Sequence, residues 1–182
     1  MMLNYGRKID NMVNNLYQNS IQELTKSIDE CLKNKEIISL LILIYSTIDI
    51  MVWLSRDPHD AEATKEDFIR WAEEFMLPGS GLECSGENLY AARCAVLHSY
   101  APAWGISQNN KADGNTIAYT WNKMVKATPR ISGAKQKSES ISLPIENLCK
   151  ALQNAIQRFN NSLIDNRTLF ELVNERSNKF FV

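Results

Sequence analysis

The segment Leu89-Tyr-Ala-Ala-Arg93-Cys-Ala-Val-Leu-His98-Ser-Tyr100 sets Arg93, His98 and Tyr100 among mostly small and apolar residues. An unperturbed imidazole titrates near pH 6.5, so His98 can take up and return a proton at neutral pH. Arg93 offers a planar fork of N–H donors that fits a phosphate and stabilises negative charge developing on it. Tyr100 can position a substrate or hydrogen-bond the same phosphate. The chemistry these groups can do together is phosphodiester cleavage in RNA. There the ribose 2′-hydroxyl is the internal nucleophile, so no metal or other cofactor is required.

On one helix, five residues turn about 140° and rise roughly 7.5 Å. Arg93 and His98 therefore do not share a stripe and are expected to flank a ridge rather than converge. Arg93 and Tyr100 do share one, and His98 lies a turn above Cys94. Ala91, Ala92 and Ala95 let a second helix approach closely. If a two-fold-related copy packs antiparallel, the Arg of one protomer approaches the His of the other, so a homodimer would complete the site.

Other familiar constellations are missing. There is no glycine-rich phosphate loop and no G-x-S-x-G elbow. Cys31, Cys84, Cys94 and Cys149 are scattered, and His59 and His98 are the two histidines, so neither a zinc site nor a disulfide framework is indicated. Reduced thiols fit a cytoplasmic setting. His59, in an acid-rich turn, reads as solvated. Trp53, Trp71 and Trp121, with Tyr45 and Tyr119, read as core, whereas Trp104 beside Pro102 and Gly105 reads as exposed.

The elements that must position these residues are mainly helical. The chain has 182 residues, enough for one core, with only seven Gly and five Pro to make turns. Apolar residues recur by threes and fours from Ile9 through Tyr17, Ile21 and Ile28 to Leu32, predicting one long amphipathic helix with a break at Asn34-Lys35. A second helix spans Glu36 to Ser55. Its apolar run is long enough to raise a membrane span, but Asp49, Ser39, Ser46 and Thr47 favour a buried central helix and no membrane association. Thr64 caps a third helix, with Asp67 completing a capping box, and the helix runs to Met76 before Pro78-Gly79. Ser85 caps the motif helix. Thr116–Asn122 and Glu139–Leu143 alternate as strands and predict a small β-hairpin; helix is the alternative for Ile117–Ala127. Pro144 opens another helix, Asn160-Asn161 marks a break, and Arg167–Phe181 forms the last helix.

Charge is unevenly spread although the net value is −1. Asp57 to Glu87 holds nine acids against Lys65 and Arg70, and Lys111 to Lys137 holds six bases against Asp113. Lys123, Lys126, Arg130, Lys135 and Lys137 are the candidates for RNA-phosphate contact. The competing reading is that both regions are solvated surface.

Arg93-x(4)-His98 resembles the R-x(4–6)-H motif of the HEPN superfamily (higher eukaryotes and prokaryotes nucleotide-binding). With Tyr100 it resembles the longer form in HEPN toxins paired with minimal nucleotidyltransferases. Thr47-Ile48-Asp49-Ile50 is similar to their second-helix segment, in which an acidic residue follows an aliphatic one. The resemblance covers about Leu3–Tyr100. It implies an up-down helical bundle, a homodimer, and a metal-independent ribonuclease of a toxin–antitoxin or phage-defence system. Arg93, His98 and Tyr100 would then be catalytic, with Asp49 pairing with Arg93 or His98. RNA would be the substrate, a cognate antitoxin the partner, and Tyr100 the candidate for nucleotidylation. Cys94 departs from the polar residue usual after the motif Arg and would take a supporting position. A non-catalytic HEPN-like binding module for a nucleotide or protein is the other functional class. On this reading residues 1–104 form the HEPN-like core, and 105–182 add a basic loop, the hairpin and C-terminal helices packed on it as part of one domain.

Overall fold

The computed structural model describes residues 15–57, 59–60, 62–99, 116–121 and 140–180. Helix α1 spans Asn15–Asn34 and α2 Ile37–Ser55. Helix α3 spans Lys65–Trp71 and continues as a π-helical turn over Ala72–Met76, and α4 spans Gly86–Ser99. Strands β1 (Thr116–Thr120) and β2 (Ser140–Pro144) lead to α5 (Ile145–Asp165) and α6 (Arg167–Phe180). The chain is mainly α with one small β element.

Between α1 and α2 the chain reverses at Lys35, whose φ of 59° is left-handed. The Glu36 amide donates to Cys31 O at 2.9 Å and the Lys35 amide to Leu32 O at 3.2 Å. These paired bonds satisfy carbonyls that the helix end leaves free. Helix α2 is the central element. Leu40, Leu41, Ile44, Tyr45, Ile48, Met51 and Leu54 are fully buried, and α1, α3, α4, α5 and α6 all pack on it. By length and composition α2 could cross a membrane, and half of its apolar stretch is buried inside the protein.

The capping box at α3 forms as expected: the Asp67 amide donates to Thr64 Oγ1 and the Thr64 amide to Asp67 Oδ2. The helix does not stay regular to Met76, however. The Leu77 amide donates to Ala72 O, five residues back, at 2.9 Å. This i→i+5 bond marks a wider, π-type turn, along which Trp71, Phe75 and Met76 are all buried. Trp71 and Phe75 pack against Phe159 of α5, and Arg158 donates to Phe75 O at 2.7 Å. At the start of α4, the Asn88 amide donates to Ser85 Oγ and the Ser85 amide to Asn88 Oδ1. Gly86 lets α4 approach α3 closely, since a Cβ there would lie 2.9 Å from Ile69 O.

Two expectations are corrected. The strands do pair, but in parallel, with Ile117 opposite Ile141 and Tyr119 opposite Leu143, so they are not a hairpin. Alternation fixes which face is buried and says nothing of direction. The direction of β2 is tied to α5, because Pro144 both ends the strand and precedes the helix. The other correction is that α5 runs straight through Asn160-Asn161 to Asp165. Asn160 is held there by a tertiary contact, accepting from Tyr17 Oη of α1 at 2.8 Å. One hydrophobic cluster joins residues from Tyr17 to Val173, drawing on every helix and both strands. Cys31, Cys84, Cys94 and Cys149 are free thiols.

Candidate functional site

Asp49, Arg93, Cys94 and His98 meet where α2 and α4 pack side by side. Asp49 lies on the less buried stripe of α2, which continues through Ile42, Ser46, Ile50 and Trp53. The Arg93 side chain reaches across from α4. Its Nε lies 3.0 and 3.2 Å from the two Asp49 oxygens, and Nη2 donates to Oδ2 at 2.7 Å. Two donors on one carboxylate make this a forked, charge-assisted pair. Burial pulls the Arg93 guanidinium down, but the Asp49 carboxylate overrides it and holds Arg93 above its ordinary value, with Cys94 adding to the shift.

The Arg93–His98 relation is not the one helical spacing predicts. Nη1 of Arg93 lies 2.9 Å from Nε2 of His98. The long arginine side chain bridges the angular gap that the backbone leaves. A guanidinium has donors and no acceptor, so Nε2 accepts and the ring proton sits on Nδ1. Arg93 thus links a carboxylate on one side to an imidazole on the other. His98 is exposed, and the Arg93 and Asp49 side chains keep 21% and 32% of their surface, so the trio is open to an incoming ligand.

Cys94 is half-buried beside Tyr90 and Arg93, in contact with both. Burial is the main cause that raises Tyr90, with Cys94 adding to it. Tyr100, Trp104, Lys123, Lys126, Arg130, Lys135 and Lys137 lie outside the described residues. His59 is exposed, its amide donating to Asp57 Oδ1 at 2.8 Å. Among the described residues, no three His, Cys, Asp or Glu side chains gather in a way that could hold a metal ion.

A groove of about 340 Å³ adjoins the ion pair. Helix α2 supplies Asp49 and Trp53 to it, α3 supplies Lys65 and Phe68, and α4 supplies Tyr90 and Arg93. Reading the sequence for its motif alone misses Lys65, Phe68 and Tyr90. A signal was present: Tyr90 stands three residues before Arg93, and Trp53 four after Asp49, which places each on its partner's helical face.

The chain matches no family model, no curated protein and no solved structure.

Proposed function

We propose that this chain is a HEPN-type, metal-independent endoribonuclease, cytoplasmic and homodimeric, serving as the toxin or effector of a defence system. A cognate antitoxin is the partner that role implies. The observation that supports the reading best is the open Asp49–Arg93–His98 relay, with Nη1 of Arg93 at 2.9 Å from Nε2 of His98. Arg93 holds the scissile phosphate, and the 2′-hydroxyl oxygen bonds to phosphorus as its proton passes to a neutral His98. The P–O5′ bond breaks, the 5′-oxygen takes a proton from an imidazolium, and a 2′,3′-cyclic phosphate remains. One base and one acid are needed, and a two-fold dimer brings two His98 side chains to supply them. Tyr100 supports the phosphate, and the basic segment from Lys123 to Lys137 contacts the RNA backbone.

The test is incubation of a mixed RNA pool with purified protein in EDTA, beside His98→Ala and Arg93→Ala. Cleavage leaving cyclic-phosphate ends, lost in both folded variants, supports the reading. Equal cleavage by all three proteins would assign the activity to a contaminant and remove the motif from catalysis.

A non-catalytic nucleotide- or protein-binding module is the second reading. Two observations favour it: Cys94 at the motif position, and an Arg93 whose Nε, Nη1 and Nη2 are all already engaged. RNA binding without cleavage would select it.

A further inference from the structure

The groove beside Arg93 takes no part in the proton transfers just described, yet Arg93 and Asp49 of the relay form part of its wall. At about 340 Å³ it lies near the lower end of the range for small-molecule sites, so it admits one ring system rather than a length of strand. Its walls combine aromatic faces with cations. Phe68 meets Tyr90 edge-on, with centroids 5.5 Å apart. The Lys65 ammonium lies over the Tyr90 ring, 5.9 Å from its centroid. Lys65 also approaches Glu87, but only to 3.9 Å and at the surface, where such a pair contributes little. Its ammonium can therefore leave the ring at small cost.

Beyond Lys65 the surface changes sign. Glu66, Glu73, Glu74 and Glu87, against Lys65 and Arg70, line the neighbouring depression, whose surplus of negative charge disfavours a polyanion. That charge disfavours a path across α3 for an RNA strand arriving over Arg93 and His98, and the size of the groove suits a single base turned aside from the strand.

We infer that this groove is a nucleobase subsite. The base next to the scissile phosphate stacks on Tyr90, displacing Lys65, which swings to the adjoining phosphate. Tyr90 is then a specificity-determining residue and Lys65 a phosphate contact. The inference rests on the ribonuclease reading and deepens it by naming where substrate is selected.

The experiment measures binding of a single-stranded 2′-O-methyl oligoribonucleotide, which lacks the internal nucleophile and stays intact, by fluorescence anisotropy. Cleavage of the unmodified RNA is followed in parallel. Loss of one stacked base weakens binding by about 5- to 150-fold, the effect expected for Tyr90→Leu. Tyr90→Phe keeps the ring and binds close to wild type. Lys65→Gln binds more weakly, with a salt dependence lower by about one phosphate contact. His98→Ala binds like wild type and cleaves nothing. If Tyr90→Leu keeps its melting curve and binds as tightly as a wild type that cleaves, the subsite is wrong and the ribonuclease reading stands. Equal losses in Tyr90→Phe and Tyr90→Leu overturn stacking in particular. A wild type that binds without cleaving, and loses binding in Tyr90→Leu, keeps the subsite and removes catalysis. A wild type that neither binds nor cleaves overturns both.

Discussion

Replacing Arg176 by Met should lower the melting temperature by about 6–12 °C. Arg176 is only 7% exposed, and its guanidinium is given over to the end of α2. Nη1 donates to Leu54 O at 3.1 Å, Arg56 O at 2.7 Å and Trp53 O at 3.3 Å, and Nη2 donates to Asp57 O at 3.1 Å. The last carbonyls of a helix have no partner within it and carry its negative end, so a cation from another helix both caps and neutralises them. The arrangement has a cost. Burial lowers Arg176 below its ordinary value, and the neighbouring Arg56 pushes in the same direction.

Met keeps most of the aliphatic stem and removes every donor. The bonds to Leu54 and Arg56 are fully buried, and a buried acceptor stripped of its donor costs about 1–3 kcal/mol. Relief of cation burial and of the Arg56 repulsion offsets part of that sum. A net loss of about 3 kcal/mol, at roughly 2–4 °C per kcal/mol for a chain of this length, gives the stated shift. Arg176→Lys should fall between, because one ammonium cannot span four carbonyls. Thermal unfolding followed by far-UV circular dichroism measures both. A shift below about 2 °C for the Met variant, against that per-kcal scale, would show that the clamp is not what secures the end of α2.

Three other perturbations discriminate. Burial pulls the Asp67 carboxyl up, but the Thr64 amide and hydroxyl and the Arg70 guanidinium outweigh it and hold it below its ordinary 3.8. An acid depressed in the folded state stabilises above its unfolded-state value, and that contribution is lost as pH falls through the lower folded value. Urea unfolding from about pH 5 to about pH 2 should therefore show a shallower acid loss in Asp67→Asn than in wild type; parallel curves would refute this. Lys35 occupies a left-handed conformation that suits glycine, so Lys35→Gly should stabilise by about 0.5–1 kcal/mol, and a lower melting temperature would contradict it. Asp49→Asn keeps the shape but not the charge that orients Arg93. In the RNA assay it should cut cleavage by about 100-fold while the protein stays folded; undiminished cleavage would remove Asp49 from the site.

Local chemistry was legible in the sequence wherever it is decided locally. The Thr64–Asp67 capping box, the Ser85 cap, the reversal at Lys35 and the buried run of α2 each follow from residues within a turn of one another. What was not legible depends on distant partners. Asn160-Asn161 has the composition of a break, but α5 passes through it with Phe159 and Leu163 buried on either side and Asn160 bonded to the Tyr17 hydroxyl of α1. The parallel pairing involves strands whose anchors are distant in sequence: Tyr119 of β1 bonds Tyr45 of α2, and β2 runs into α5 at Pro144. The π turn at Ala72–Met76 sits against Phe159 of α5, which touches both Trp71 and Phe75, a partner far away in sequence. Arg176 carries no periodic signal that would single it out. At the site, backbone angles separated Arg93 from His98 correctly, but a side chain as long as arginine is not confined to its own stripe.

The reach of the Arg93 side chain changes what the motif can do within one protomer. Nε and Nη2 of Arg93 are committed to Asp49, and Nη1 is shared with Nε2 of His98. The first two bonds are between opposite charges, whereas the third joins a cation to a neutral ring. A phosphate carries full negative charge, and charge-assisted bonds are roughly twice as strong as those to neutral acceptors. A phosphate that competes for the Nη1 N–H facing His98 should therefore take it and leave the Asp49 bonds in place. The exchange frees the lone pair of Nε2 when substrate arrives, which is when the proposed reaction needs a base. On this argument Asp49 is what keeps Arg93 in position while its third contact changes hands. Arg93→Lys keeps the charge but cannot hold Asp49 and a phosphate through separate donors in a fixed plane, so it should bind RNA and fail to cleave it. Wild-type cleavage by that variant would refute the exchange, since a point charge would then suffice.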